Sequence, residues 1–213
     1  VLFIFRKLVE SHGIVRPITN KYLHLVAELE DGTRLVGQHN ITGREVKPIA
    51  SPIRDLYLSE STIDPVPVQI ELTKSISKLI KKSDLICYPM GSFYTSVLAN
   101  LLPTNIGENI AQNSSPKIFI PNTTKDSEQF GMNFIMVINK LLRFLQKDNR
   151  EIVITDVLNF VIIDSKNANY PFEISIEEIK HMGVEVIDTE LITQESYPFI
   201  DSELLIKVLL SLT

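Results

Sequence analysis

At 213 residues the chain is long enough to bury a full core without disulfides or metal staples, and its length suits one α/β domain. Its 44% hydrophobic and 22% charged content is that of an ordinary soluble globular protein, and a formal net charge of −5 argues against a general nucleic-acid binder, which needs a basic face. The single cysteine, Cys87, excludes an internal disulfide, and no run of about 18 apolar residues or signal-type leader is seen, so no membrane and a cytoplasmic residence are the default expectations.

In chain order, Val1 to Ile4 reads as a first strand. Leu23, Leu25, Ala27 and Leu29 alternate with His24, Val26, Glu28 and Glu30, and Asp31-Gly32 supplies the turn from which Arg34 to Gly37 returns as a hairpin. Arg54 to Leu58 is a short strand. Leu72, Ile76, Leu79 and Ile80 form a helix stripe, whose solvated end accounts for the basic cluster Lys78, Lys81 and Lys82. Asp84 to Tyr88 is an apolar run of buried-strand length, ended by Pro89 and Gly91; Ser92 can then cap a helix facing inward through Val97, Leu98 and Leu101 and closed by Pro103. Lys117 to Ile120 is a strand and Met132 to Leu145 a long helix. Ile152 to Ile154 and Phe160 to Ile163 read as strands, Ile174 to Met182 as a helix and Val184 to Ile187 as a strand. The last helix is capped by Asp201 or Ser202 and carries Leu204, Leu205, Val208, Leu209 and Leu212. Strands alternating with helices imply one α/β domain over residues 1–213, with a mostly parallel sheet covered on both faces plus a β-hairpin.

A helix that starts just past the carboxyl end of a strand points free N–H groups into the crevice where open α/β sheets bind ligands. Gly91, Ser92, Tyr94, Thr95 and Ser96 are therefore expected to face a phosphate or another anion, although simple helix capping explains the same residues. Enzyme motifs are otherwise lacking: there is no Walker A, Gly-x-Gly-x-x-Gly, His-Glu-x-x-His or Cys-x-x-Cys pattern, and Ser92 lacks a nucleophile elbow. His12, His24, His39 and His181 are too scattered for a spacing-based metal site. Cys87 reads as a small core thiol rather than a nucleophile.

The wording Gly91-Ser92-Phe93-Tyr94-Thr95-Ser96-Val97-Leu98-Ala99-Asn100-Leu101-Leu102-Pro103 resembles the Gly-Ser-Leu-Tyr-Thr-Ser…Asn-Leu-Leu signature of the CofD/YvcK family. Residues 25–37 followed by Asn40-Ile41-Thr42-Gly43, the strand ending at Pro121-Asn122 and the late strand at 183–188 resemble other family segments in the same order, so the resemblance covers most of the chain. It is closest to an uncharacterised bacterial branch. Two departures stand out. Family members read Gly-Pro-Gly-Ser where this chain has Pro89-Met90-Gly91-Ser92, which implies a stiffer loop. The Gly-rich turn after the family's first strand does not follow Ile4; either the branch lacks it or residues are missing at the Ile4–Phe5 junction, and the strand-like Val1 to Ile4 favours the second.

The resemblance implies a three-layer αβα Rossmann-like fold and a nucleotide site that includes Asn100 and Asn122 beside the Gly91 loop. Gly91 and Asn122 are expected to line one cleft, since sequential parallel strands tend to be neighbours. Asp126 and Glu128 are weak candidates to hold Mg²⁺ against a diphosphate, since a plain acidic turn before a helix also explains them and is the favoured reading. The implied function is binding of a nucleotide diphosphate adduct by a transferase similar to 2-phospho-L-lactate transferase. The alternative is a non-catalytic, nucleotide-sugar-binding regulator similar to YvcK, weakened because that branch uses a C-terminal Arg and the last here is Arg150. A third reading, outside the family, is an interaction domain without a ligand. A homodimer is left open.

Overall fold

The computed structural model describes residue 13 and residues 15–43 and 46–213; the strand expected at Val1 to Ile4, the Ile4–Phe5 junction and His12 lie outside the described residues. The hairpin forms as the Asp-Gly signal requires. Strands β1 (His24–Leu29) and β2 (Arg34–Val36) pair antiparallel with Ala27 opposite Leu35, and the turn is closed by the Thr33 amide donating to Asp31 Oδ1 at 2.8 Å, with Gly32 at φ +87°. Strand β3 (Ile53–Ser59) adds to the other side of β1, giving a three-stranded antiparallel sheet of order β2-β1-β3. Leu25, Ala27, Leu29, Ile53 and Leu56 carry its core face; Val26, expected outside, is buried too, so the middle strand is covered on both faces. A short helix α1 (Gln38–Thr42) follows β2 and ends at Gly43.

A second sheet is wholly parallel. Strands β4 (Ile86–Tyr88), β5 (Lys117–Phe119), β6 (Phe160–Ile163) and β7 (Glu185–Asp188) lie in the order β4-β5-β6-β7, each beside its predecessor in the chain. Because side chains alternate along a strand, the sheet has two buried faces. Tyr88, Phe119, Val161 and Ile163 pack into the larger core with α4 (Phe134–Leu145), whose first turn is capped by Asn133 accepting from the Met136 amide. Ile118, Ile120 and Ile162 turn the other way and pack under α7 (Ser202–Leu210) through Leu205, Val208 and Leu209. This is the αβα layering expected. Of the two proposed caps of α7, Asp201 takes the role, its side chain accepting from the Glu203 and Leu204 amides. Helices α2 (Lys74–Lys81), α3 (Ile106–Ala111) and α6 (Ile176–His181) complete the connections. A Cβ on Gly107 would stand 1.7 Å from the Leu145 carbonyl oxygen, so α3 meets the end of α4 in direct backbone contact.

Two local expectations are corrected. Ile152 to Ile154, read as a strand, instead leads into the short helix α5 (Ile154–Val157). The place beside β5 belongs to β6, so this β-branched run has no strand to pair with; Gln146 Nε2 binds the Ile152 carbonyl and the Leu158 amide binds that of Ile154. The helix after Ser92 begins as a π-helical turn, Phe93–Val97, and continues as a 3₁₀ turn, Leu98–Leu101, with no cap from the Ser92 side chain. The wide turn buries Phe93, Tyr94 and Thr95 together with Val97 and Leu98, more of a consecutive run than the stripe of a regular helix covers.

Candidate functional site

The chain leaves β4 at Tyr88 and turns through Gly91, whose φ of +153° is open to glycine and costly for other residues; a Cβ there would be 3.6 Å from that of Ser96, so the demand is conformational, not one of space. Beside it, Asn122 leaves β5. The Gly91 amide donates to Asn122 Oδ1 at 2.8 Å, and Asn122 Nδ2 donates back to the Gly91 carbonyl at 2.7 Å. The parallel pairing of β4 with β5 thus brings these two sequence-predicted residues together at one sheet edge.

The amides after Gly91 do converge, but on carboxylates of this chain. Phe93 N–H donates to Asp126 Oδ2 at 2.7 Å, and Tyr94 and Thr95 N–H donate to Glu128 Oε2 at 2.7 and 2.9 Å. The Thr95 hydroxyl donates to Glu128 Oε1 at 2.6 Å. Glu128 is 1% exposed, and burial holds its pKa above the ordinary 4.5 against the lowering pull of the Thr95 and Tyr94 donors. Asp126 Oδ1 also accepts from the Glu128 amide. Glu128 does not fit as a Mg²⁺ ligand here, because it is buried and both of its oxygens accept from N–H and O–H donors of this chain, while each oxygen of Asp126 already accepts one amide. Among the described residues no group of three or more His, Cys, Asp or Glu could hold a metal ion.

The remaining predicted residues are dispersed. The Tyr94 ring is in the core, its hydroxyl donating to the Ile53 carbonyl at 3.2 Å and Lys140 Nζ 5.8 Å from its centroid; it ties β3 to the π-helical turn. Ser92 is half-buried and Ser96 exposed, the Ser96 carbonyl accepting from Asn100 Nδ2. Thr95 and Asn100 reach a separate cavity of about 330 Å³ shared with Lys21 and His24. Cys87 is half-buried under α7, where burial raises its thiol pKa, as suits packing rather than nucleophilic attack.

A larger cleft of about 1110 Å³ opens where the loops after β5, β6 and β7 meet, at the carboxyl ends of the parallel strands. Thr123, Thr124, Lys125, Phe130, Tyr170, Phe172 and Tyr197 are among its lining groups, and the Thr123 hydroxyl donates to the Pro198 carbonyl at 2.8 Å, linking the first wall to the last. Sequence reasoning missed the aromatic wall. Its one signal was Tyr170-Pro171-Phe172, three ring-bearing residues in a loop that follows a buried strand.

A family model described as 2-phospho-L-lactate transferase CofD matches residues 3–192. The chain belongs to this family. Among similar CofD-family relatives, a gluconeogenesis factor from Bacillus subtilis is 29% identical over 200 residues, covering 89% of this chain and 58% of that protein. A gluconeogenesis factor from Listeria monocytogenes is 32% identical over 120 residues, 56% of this chain and 33% of that one. The chain thus spans little more than half the length of the Bacillus relative. A crystal structure of a UPF0052-family protein from Bacillus halodurans shares the fold, with a TM-score of 0.72 at 21% identity over 98% of this chain and 65% of that one.

Proposed function

We propose that this CofD-family chain binds a nucleotide diphosphate adduct or a nucleotide sugar in the cleft at the ends of β5, β6 and β7, and that binding serves a regulatory role in gluconeogenesis, inside the cell. The observation that carries the reading is the cleft itself: it lies where parallel α/β sheets bind ligands, it has room for a nucleotide with a second group, and Tyr170, Phe172 and the cationic Lys125 are all among its lining residues. The names of the relatives, gluconeogenesis factors, support the link to gluconeogenesis. The engagement of Asp126 and Glu128 with main-chain donors supports a binding site over one that relies on those acids for charge neutralisation. A transferase reading, favoured by the family's description, uses the same pocket. Thermal-shift titration with UDP-glucose, GDP and related nucleotides, with and without Mg²⁺, tests the binding; a flat response to all of them overturns it. Release of a nucleoside monophosphate when a binding adduct is offered with an acceptor would move the assignment to the transferase.

A further inference from the structure

Asp164 directly follows β6, is 1% exposed and does not line the cleft, yet both of its oxygens are committed to the loops that do. Oδ1 accepts from the Lys166 amide at 3.2 Å and the Asn167 amide at 2.8 Å. Oδ2 accepts from the Leu191 and Ile192 amides at 2.9 and 3.0 Å and from Asn167 Nδ2 at 3.1 Å. The Asp164 amide in turn donates to the Tyr170 hydroxyl at 3.1 Å. Residues 166–170 run straight into the Tyr170 and Phe172 wall. From Leu191 the chain runs to the opposite wall at Tyr197 and Pro198, and the Leu191 carbonyl accepts from the Asp201 amide that starts α7.

We propose that Asp164 is a positioning residue: without touching the ligand, its carboxylate sets the separation of the two cleft walls that follow β6 and β7, and so the affinity of the cleft. The inference rests on the reading of this cleft as the ligand site. The chemistry calls for a carboxylate. Five N–H donors arrive from two directions, and an asparagine in its place has one acceptor oxygen, so its NH₂ must face either the 166–167 amides or the 191–192 amides. Alanine abandons both sets. Burial pushes the Asp164 carboxyl up, but the donors at Leu191, Asn167 and Ile192 outweigh it, and its pKa lies below the ordinary 3.8, so it is ionised at neutral pH.

The test compares wild type, Asp164→Asn and Asp164→Ala by amide hydrogen exchange and by titration with UDP-glucose and GDP. Asp164→Asn is expected to speed exchange in one of the segments 166–172 and 189–198, and Asp164→Ala in both, while α4 and the 122–128 loop keep their wild-type protection. Binding of a nucleotide that wild type takes up should weaken about tenfold in Asp164→Asn and further in Asp164→Ala. Unchanged exchange in both walls, faster exchange throughout the molecule, or undiminished affinity overturns the inference. Should wild type bind neither nucleotide, the reading of the cleft falls with these probes, and the exchange pattern alone decides whether Asp164 holds the walls.

Discussion

Replacing Glu128 with alanine would leave three donors, the Tyr94 and Thr95 amides and the Thr95 hydroxyl, facing a void inside the protein. Each buried unsatisfied donor costs about 1–3 kcal/mol, so Glu128→Ala should lose at least about 3 kcal/mol in urea unfolding. Glu128→Gln keeps the shape and an acceptor for the two amides and should cost less. The variants also differ in pH dependence. Burial raises the folded pKa of Glu128 above 4.5, so the native state holds its proton more tightly than the unfolded chain. The stability it contributes is complete below about pH 4.5 and is lost as pH rises through the folded value. Wild type should therefore exceed Glu128→Gln by most at acid pH, with the gap closing toward neutrality; a gap that widens with pH contradicts the assignment. Asp164 has the opposite sign: its lowered pKa adds stability above its ordinary 3.8 that is lost as pH falls through the folded value. Tyr94 separates packing from binding in the same way. Tyr94→Phe removes one hydroxyl bond to Ile53 and should cost about 1 kcal/mol, whereas Tyr94→Ala empties a buried ring site and should cost about 3–5 kcal/mol. Because the ring does not line the cleft, Tyr94→Phe should leave any ligand-induced rise in melting temperature intact; a smaller rise would put the ring back on the ligand side.

Between β4 and the π-helical turn, Gly91 holds its φ of +153° while clamped to Asn122. Gly91→Ala should cost about 1–3 kcal/mol through backbone strain alone, since its Cβ finds only ordinary contact with Ser96. Asn122→Ala gives up both hydrogen bonds of the clamp, and thermal unfolding of the two variants should show losses of similar size. If Gly91→Ala unfolds like wild type, the strained turn is not what shapes this edge. The Gly91–Asn122 neighbourhood was readable from the chain because two short apolar runs in sequence imply adjacent parallel strands, and the hairpin was readable because Asp31-Gly32 encodes its turn. Periodicity identifies which face is buried but not which partner is free, and so Ile152 to Ile154 has a strand's pattern yet leads into α5. The same limit hid the acid clamp: Glu128 lies 34 residues from Tyr94, and nothing local in either segment announces the other. The aromatic wall was hidden for a related reason: three separate loops build it, and only Tyr170-Pro171-Phe172 carries a local signal.

Across the whole molecule, the parallel sheet separates the work of its two faces. The α4 side carries the larger core, while α7 closes the other face and none of its own residues is fully buried. The cleft sits at the carboxyl ends of the parallel strands, and its walls are loops held both by packing of Tyr170 and Phe172 on the larger core and by the hydrogen bonds of Asp164, Thr123 and the start of α7. Ligand binding there should register as global stability. A ligand at 100 times its dissociation constant stabilises the fold by about 2.7 kcal/mol, and at roughly 2–4 °C per kcal/mol for a chain of this size the melting temperature should rise by about 5–10 °C. Lys125 is exposed and lies in the cleft, so Lys125→Ala should leave the unliganded melting temperature nearly unchanged, within about 0.5 kcal/mol. If the proposed diphosphate ligand sits in the cleft, the same variant removes a cation beside it and should shrink the ligand increment, increasingly so at low salt, where screening is weakest. An increment that survives Lys125→Ala unaltered at low salt would remove this residue from the anion contact and direct attention to the smaller cavity beside Thr95 and Asn100.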